Sequence, residues 1–250
     1  MMFRKLSPEQ FRDHLFDILS RKQHWTNSHF NGSTVTNAQL RIHFRQEYAV
    51  YLRDFAVLLG RIMGKNPSWQ IRRHLATTIY EEETGGLSLG KPHQESFLQM
   101  MLGLGFSRAE FREVELLAPS WAYREWLDGI CQDEEWLVGA ANLTIFVEGT
   151  ANDREEVLHQ HQPKTKAEIE DIVLKHPLVV YHGLSPEYMD LVRVREMIEP
   201  CNRRTAYDLI VKEAVETGKQ KLVLGSLEQA LDVWLQYREG IARACGLRRP

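Results

Sequence analysis

Acidic and histidine side chains at separate places along the chain have the types and order that metal or proton chemistry needs. They are the acidic triplet 81–83, His93, Glu148 and a late segment, 195–202. Carboxylate oxygens and imidazole nitrogens from neighbouring helices can hold a pair of iron ions inside a helical bundle. The first half of such a ligand set is present, so the sequence predicts a site built from this region.

The late segment departs from that ligand pattern. Arg195, Glu199 and Asn202 lie at i, i+4 and i+7, which places them on one face of a helix. Arginine stays protonated and cannot bind a metal, and asparagine offers only a neutral oxygen. We therefore do not expect a complete two-iron site. Instead, the guanidinium of Arg195 is predicted to bind Glu148 and Glu199 in place of a metal.

Each of these residues also has an ordinary structural interpretation. An acidic triplet at a helix end is typical of a solvated face, His93 can simply begin a helix, and Arg195 with Glu199 can form a surface ion pair of little energetic value. Glu148 can lie on a polar stripe, although it follows an apolar run in ANLTIFVEGTA. A buried carboxylate needs a cation, a metal or a proton. The joint order of the residues favours a functional site.

Helix signals dominate the chain. Ser7 to Gln10, Thr36 to Gln39 and Thr165 to Glu168 have the capping-box spacing. Apolar spacing and glycine stops then predict helices at about 8–22, 36–63, 66–84, 93–104, 107 onward, 120–131, 134–161, 165 onward, 185–217 and 226–245. The segment 178–184 can pass for a strand but has no partner. The expected fold class is all-α, a single compact domain over 1–250.

Composition and charge exclude several classes of function. The net charge of −3 is accompanied by scattered basic residues, which does not favour a nucleic-acid partner. No apolar run reaches the roughly 20 residues of a membrane span. The three cysteines lie far apart and indicate neither a disulfide framework nor a zinc site. Because the N-terminal segment lacks the apolar centre of a signal peptide, we expect a cytoplasmic protein without membrane partners.

Four stretches of the chain resemble the heme-oxygenase-like superfamily, which includes TenA, PqqC, CADD and the helical di-iron oxidases. They are 46–62, 66–107, 145–153 and 181–210. The resemblance implies an orthogonal helical bundle with a central pocket for a small organic molecule, and it implies a homodimer.

In metal-using members of the superfamily, the first carboxylate and histidine would fall on Glu83 or Glu82 and on His93. The middle carboxylate would fall on Glu148. The late His-x-x-x-Asp/Glu-x-x-His pattern falls on Arg195, Glu199 and Asn202, so both of its histidines are absent. Iron at a partial site of Glu82, Glu83, His93 and Glu148 stays open as an interpretation.

Three functions are consistent with this pattern. The first is an oxidoreductase that resembles PqqC and works without a metal, with His93, His182, Arg195 and Glu199 as catalytic residues. The second is a non-catalytic protein that binds a small molecule or a partner and retains only the fold. The third is a one-metal enzyme that uses Glu83, His93 and Glu148. The sequence names no substrate.

Overall fold

The computed structural model describes residues 4–159 and 163–249, and its regular elements are helices throughout that part of the chain. This confirms the all-α prediction. The α-helices are α1 Pro8–Ser20, α2 Asn27–Phe30, α3 Asn37–Glu47, α4 Phe55–Gly64, α5 Trp69–Thr84, α6 His93–Gly103, α7 Ala118–Gln132, α8 Trp136–Ala141, α9 Asp153–His159, α10 Lys166–Lys175, α11 Pro177–His182, α12 Asp190–Glu213 and α13 Thr217–Ala244.

The three predicted capping boxes begin helices as expected. The side chains of Ser7, Thr36 and Thr165 each accept a hydrogen bond from the backbone N–H three residues later. The Gln or Glu side chain at that later position accepts in turn from the backbone N–H of the capping residue. Two of the otherwise unpaired N–H groups at each helix start are satisfied in this way.

Two of the three longest predicted helices, 36–63 and 134–161, contain a π-helical segment. The first π-helical segment, Tyr48–Leu52, joins α3 to α4, and the second, Asn142–Val147, follows α8 directly. The predicted helix 134–161 is then interrupted before α9. The ammonium of Lys22 donates to the carbonyl oxygens of Val147 and Gly149 at 3.2 and 2.8 Å, which ends the helix there.

Two other boundaries differ from the prediction. The segment that resembled a strand forms the short helix α11, with His176 capping its start. The helix predicted to reach residue 217 ends at Glu213, and α13 begins at Thr217 rather than near 226. Tertiary contacts explain the earlier start of α13, because the side chain of Gln220 bonds to the N–H and C=O of Leu6 at 3.0 and 3.1 Å.

A continuous hydrophobic core lies between the long helices. α13 packs along α7, α1 and α8, and α12 packs against α6, α10, α5 and α1. Phe11, Phe16, Phe146 and Tyr207 are among its fully buried side chains. Among the described residues, none of the helices combines the length and the apolar character that crossing a bilayer requires. The two π-helical segments and α12 enclose the space in which the candidate site lies.

Candidate active site

A cavity of about 210 Å³ lies where the two π-helical segments meet α5, α6 and α12. Side chains from distant parts of the chain line it, and five of them carry a carboxylate, imidazole or guanidinium group. These five are Glu47, Glu82, His93, Glu148 and Arg195. The cavity reaches the surface, since Arg195 and Thr150 in its lining are exposed.

His93 is held between two carboxylates. Its Nδ1 atom lies 2.8 Å from Oε1 of Glu82, and its Nε2 atom lies 3.4 Å from Oε1 of Glu81. Burial alone would lower the pKa of His93, but the hydrogen bonds and charges of Glu82 and Glu81 outweigh burial and raise it. The pair of His93 and Glu82 can therefore store a proton near neutral pH.

The loop between α5 and α6 brings His93 to Glu82. Gly85 ends α5 with φ 61°, a conformation that favours glycine, and a Cβ there would collide with the backbone of Lys91. Glu81 is only 1% exposed, and its carboxylate accepts from the backbone N–H of Leu87 at 2.7 Å. It also accepts from the hydroxyl of Ser88. Glu81 thus fixes the loop while it supports the ring of His93.

Glu47 also lines the cavity, and the sequence interpretation missed it. Its carboxylate accepts a 2.6 Å hydrogen bond from the hydroxyl of Tyr51 and lies 3.3 Å from Nε2 of His43. Burial alone would raise the pKa of Glu47. The surrounding groups, namely His43, the Tyr51 hydroxyl and the guanidinium groups of Arg195 and Arg238, lower it instead. Glu47 is therefore ionised at neutral pH.

A sequence signal for Glu47 does exist. Leu40 and Phe44 lie on the inward face of α3, and residue 47 follows them at i+7 and i+3. A glutamate at that register interrupts an apolar face, which is the same signal that pointed to Glu148.

Each π-helical segment places a carboxylate at the cavity. Glu47 immediately precedes the first segment, and Glu148 immediately follows the second. A π-helical insertion shifts the residues around it relative to the α-helical register and is frequent at functional sites. Glu47 and Glu148 therefore lie at the ends of the two π-helical segments that face the cavity.

Glu148 begins a short loop that buried charges hold in place. Asp153 is fully buried, accepts from the N–H of Thr150 at 2.8 Å and pairs with Nη1 of Arg203 at 2.8 Å. The hydroxyl of Tyr207 donates to the same carboxylate at 3.0 Å. Because this loop is anchored on both sides, by Asp153 and by Lys22, Glu148 has a fixed place beside the cavity.

The other predicted site residues have different outcomes. Arg195 lines the cavity as expected, and its charge acts on Glu47. Glu199 belongs to α12, but its side chain lies outside the described residues, as does its predicted bond with Arg195. Glu83 is exposed and is not part of the described lining, whereas Glu82 is. Adjacent helical residues point about 100° apart, so only one of the two can face the cavity.

His182 is also absent from the cavity lining. It ends α11, where its Nε2 atom is buried without a hydrogen-bond partner among the described residues. Another histidine of the same region, His176, lines a second cavity of about 140 Å³ that adjoins the first. A left-handed turn at Gly183 ends α11 after this residue, and the catalytic role of His182 stays a prediction.

The donor set does not fit a pair of irons. A di-iron bundle site uses about four carboxylates and two histidines, whereas the first cavity contains one histidine, His93. Both nitrogens of that ring face carboxylates, and its raised pKa favours the protonated form, which competes with metal binding. Within residues 4–159 and 163–249, no group of three or more potential ligands is arranged around a metal position.

Comparisons with known proteins agree with this fold. The chain matches the family model described as "Iron-containing redox enzyme" over residues 42–173, more than half of its length. It is also similar to the crystal structure of a TenA homolog from Pseudomonas syringae pv. tomato, with a TM-score of 0.70 and 12% sequence identity. That alignment covers 97% of this chain and 100% of the other. A search of curated proteins finds no significant match. The chain therefore belongs to the family of iron-containing redox enzymes and has the heme-oxygenase-like fold of the TenA superfamily.

Proposed function

We propose that this protein is an oxidoreductase that binds a small organic molecule in the cavity and transfers protons through Glu82 and His93. The observation that carries the proposal is the convergence of Glu47, Glu82, His93, Glu148 and Arg195 on one open cavity. Ionisable groups with shifted pKa values in a pocket are typical of catalytic sites. Family membership supports redox chemistry, and the donor set described above favours a route that does not use a pair of irons.

The proposed reaction is a two-electron oxidation with dioxygen as the electron acceptor. The organic molecule loses two electrons and two protons, and dioxygen gains them to form hydrogen peroxide. Glu82 accepts a proton from the bound molecule. Protonated His93, hydrogen-bonded to Glu82, supplies one of the protons that dioxygen gains and is then reprotonated by Glu82. The permanent positive charge of Arg195 stabilises negative charge that develops on the molecule.

A non-catalytic binding protein is the second candidate. The second cavity favours this candidate. Its lining is largely apolar and adds binding surface, but it includes neither Glu82 nor His93. The two candidates differ in turnover, because a binding protein would hold the organic molecule without consuming oxygen.

Metal content and oxygen uptake test the proposal together. We expect fewer than about two irons per chain after anaerobic loading with ferrous iron. We also expect metal-free protein to consume oxygen and to release peroxide with at least one member of a panel of small organic molecules. Glu82→Gln should slow that uptake about 100-fold or more, and Glu83→Gln, an exposed neighbour of the same charge, should leave it unchanged.

Two results would reject the proposal. Binding of about two irons per chain, with uptake that depends on them, would establish the di-iron chemistry instead. Tight binding of panel members without any oxygen uptake would establish the non-catalytic candidate.

A further inference from the structure

The two cavities adjoin each other at a shared boundary. Glu47, Leu52, Leu191 and Arg195 line both of them. A ligand at this boundary therefore has both spaces next to it.

The first cavity attracts positive charge. Its lining contains three carboxylates, Glu47, Glu82 and Glu148, and two cationic groups, His93 and Arg195. His93 is already shared between Glu82 and a further carboxylate behind it. An ammonium group of a ligand can pair with these carboxylates, since a cation beside partly buried carboxylates offsets their loss of hydration.

The second cavity is suited to an apolar group. Phe30, Leu40, Phe44, Phe97 and Met100 contribute to its lining. These side chains are buried or half-buried, and they offer an apolar surface to a branched or aromatic group.

The two histidines of the second cavity do not add charge. Burial lowers the pKa of His43 to about 4, with Arg238 contributing to the same effect and Glu47 opposing it. Burial and the charge of Arg195 lower the pKa of His176. Both rings are therefore neutral near pH 7, and Glu47 and Arg195 at the boundary are the charged groups in the described lining of this cavity.

Arg195 adds a carboxylate site at that boundary. Its side chain is exposed at the mouth of the first cavity and contributes to both linings. A guanidinium has five N–H donors, so it can bind a ligand carboxylate bidentately while it keeps a protein partner.

Resting on the proposed function, in which the cavity takes a small organic molecule, we propose that the two adjoining cavities together bind an apolar α-amino acid. Its carboxylate binds Arg195, its ammonium group binds Glu47 and the carboxylates of the first cavity, and its side chain occupies the second cavity. An α-amino acid carries both charged groups on one carbon atom. Glu47 and Arg195 likewise lie together at the boundary from which the apolar space opens.

Calorimetric titration with three matched probes tests this assignment. L-leucine has all three features, 3-methylbutylamine lacks the carboxylate, and 4-methylpentanoate lacks the amine. We expect L-leucine to bind at least about tenfold more tightly than either analogue, because each removes one charge-assisted hydrogen-bonding group. Equal affinities for L-leucine and for one of the analogues would overturn the role assigned to the missing group.

Variants assign the contacts to residues. Arg195→Gln should weaken L-leucine and 4-methylpentanoate binding and leave the amine unaffected. The matched control is Arg193→Gln on the same helix, since Arg193 pairs with Glu170 and Asp190 and is absent from both linings. Val192→Phe, which fills part of the second cavity, should shift the preference from L-leucine to L-alanine. An unchanged preference would place the ligand side chain elsewhere.

The binding assay separates this inference from the proposed function. If L-leucine binds as expected but neither L-leucine nor any other panel member causes oxygen consumption, the amino-acid site stands and the oxidoreductase proposal fails. If another molecule is oxidised while L-leucine binds no better than its analogues, the oxidoreductase proposal stands and the amino-acid site is wrong.

Discussion

The Nδ1 atom of His93 lies 2.8 Å from a carboxylate oxygen of Glu82, and both side chains line the same cavity. The two residues are eleven positions apart and belong to different helices, so the loop between α5 and α6 decides whether they meet. This contact makes His93 a residue that titrates differently in the folded and unfolded chains.

The first prediction concerns the pH dependence of His93. Because Glu82 and Glu81 raise its pKa above the ordinary value of 6.5, the stability it contributes is fully present below the pKa of the unfolded chain. That stability is lost as the pH rises through the higher folded value. NMR titration of the ring should give a pKa above about 6.5 in the wild type and a lower pKa in Glu82→Gln. The exposed Glu83→Gln should titrate like the wild type, and a Glu82→Gln curve that coincides with the wild type would contradict the assignment.

The second prediction concerns the stability that Glu47 supplies. Its pKa is lowered in the folded protein, so this contribution is present above the unfolded pKa and is lost as the pH falls through the folded value. Glu47→Gln should lower the free energy of unfolding by about 1–3 kcal/mol at neutral pH, because it removes the negative charge that interacts with the guanidinium groups of Arg195 and Arg238. Urea unfolding should show that the difference in the free energy of unfolding between the wild type and Glu47→Gln becomes smaller below about pH 4.

A matched substitution at an exposed position serves as the control for Glu47→Gln. Glu83→Gln removes the same charge from an exposed position and should change the free energy of unfolding by less than about 0.5 kcal/mol. If the difference in the free energy of unfolding between the wild type and Glu47→Gln stays constant from neutral to acidic pH, the charge of Glu47 does not contribute to stability.

The third prediction compares two ion pairs that each join distant segments. Asp153 and Arg203 are 0% and 4% exposed, whereas Asp13 and Arg154 form a pair at the surface. Asp153→Asn should cost about 1–3 kcal/mol in urea unfolding, because it weakens the buried pair with Arg203 and removes a charged hydrogen-bond acceptor, while Glu156 remains a partner of Arg203. Asp13→Asn should cost less than about 1 kcal/mol. Equal losses for the two variants would show that burial does not decide the strength of these pairs.

The fourth prediction concerns the loop that holds Glu148. A Cβ on Gly149 would collide with the carbonyl oxygen of Ile145 and lie 2.5 Å from Oδ2 of Asp153, so Gly149→Ala must displace the loop. We expect a loss of about 1–3 kcal/mol in thermal or urea unfolding. Gly225→Ala in α13 has open space for its Cβ and should be neutral or stabilising by up to about 1 kcal/mol. Greater stability of Gly149→Ala than of the wild type would exclude the close contact.

Local sequence rules predicted the helices well. Ser7, Thr36 and Thr165 begin helices because a cap requires only a side-chain oxygen within three residues of the N–H groups that it satisfies. The predicted ends of α12 and the start of α13 were less accurate. Contacts such as the one between Gln220 and Leu6 connect residues far apart in sequence and leave no local signal.

The sequence by itself determined the fold class and the set of ionisable residues, Glu82, His93, Glu148 and Arg195, because helical spacing and residue type are local properties. Only the tertiary structure decided which carboxylates meet. It selected Glu82 over Glu83, added Glu47 and placed His182 away from the cavity. The physical reason is that a side chain's direction depends on helix rotation, on the π-helical segments and on buried pairs such as Asp153 with Arg203, which the packed core fixes.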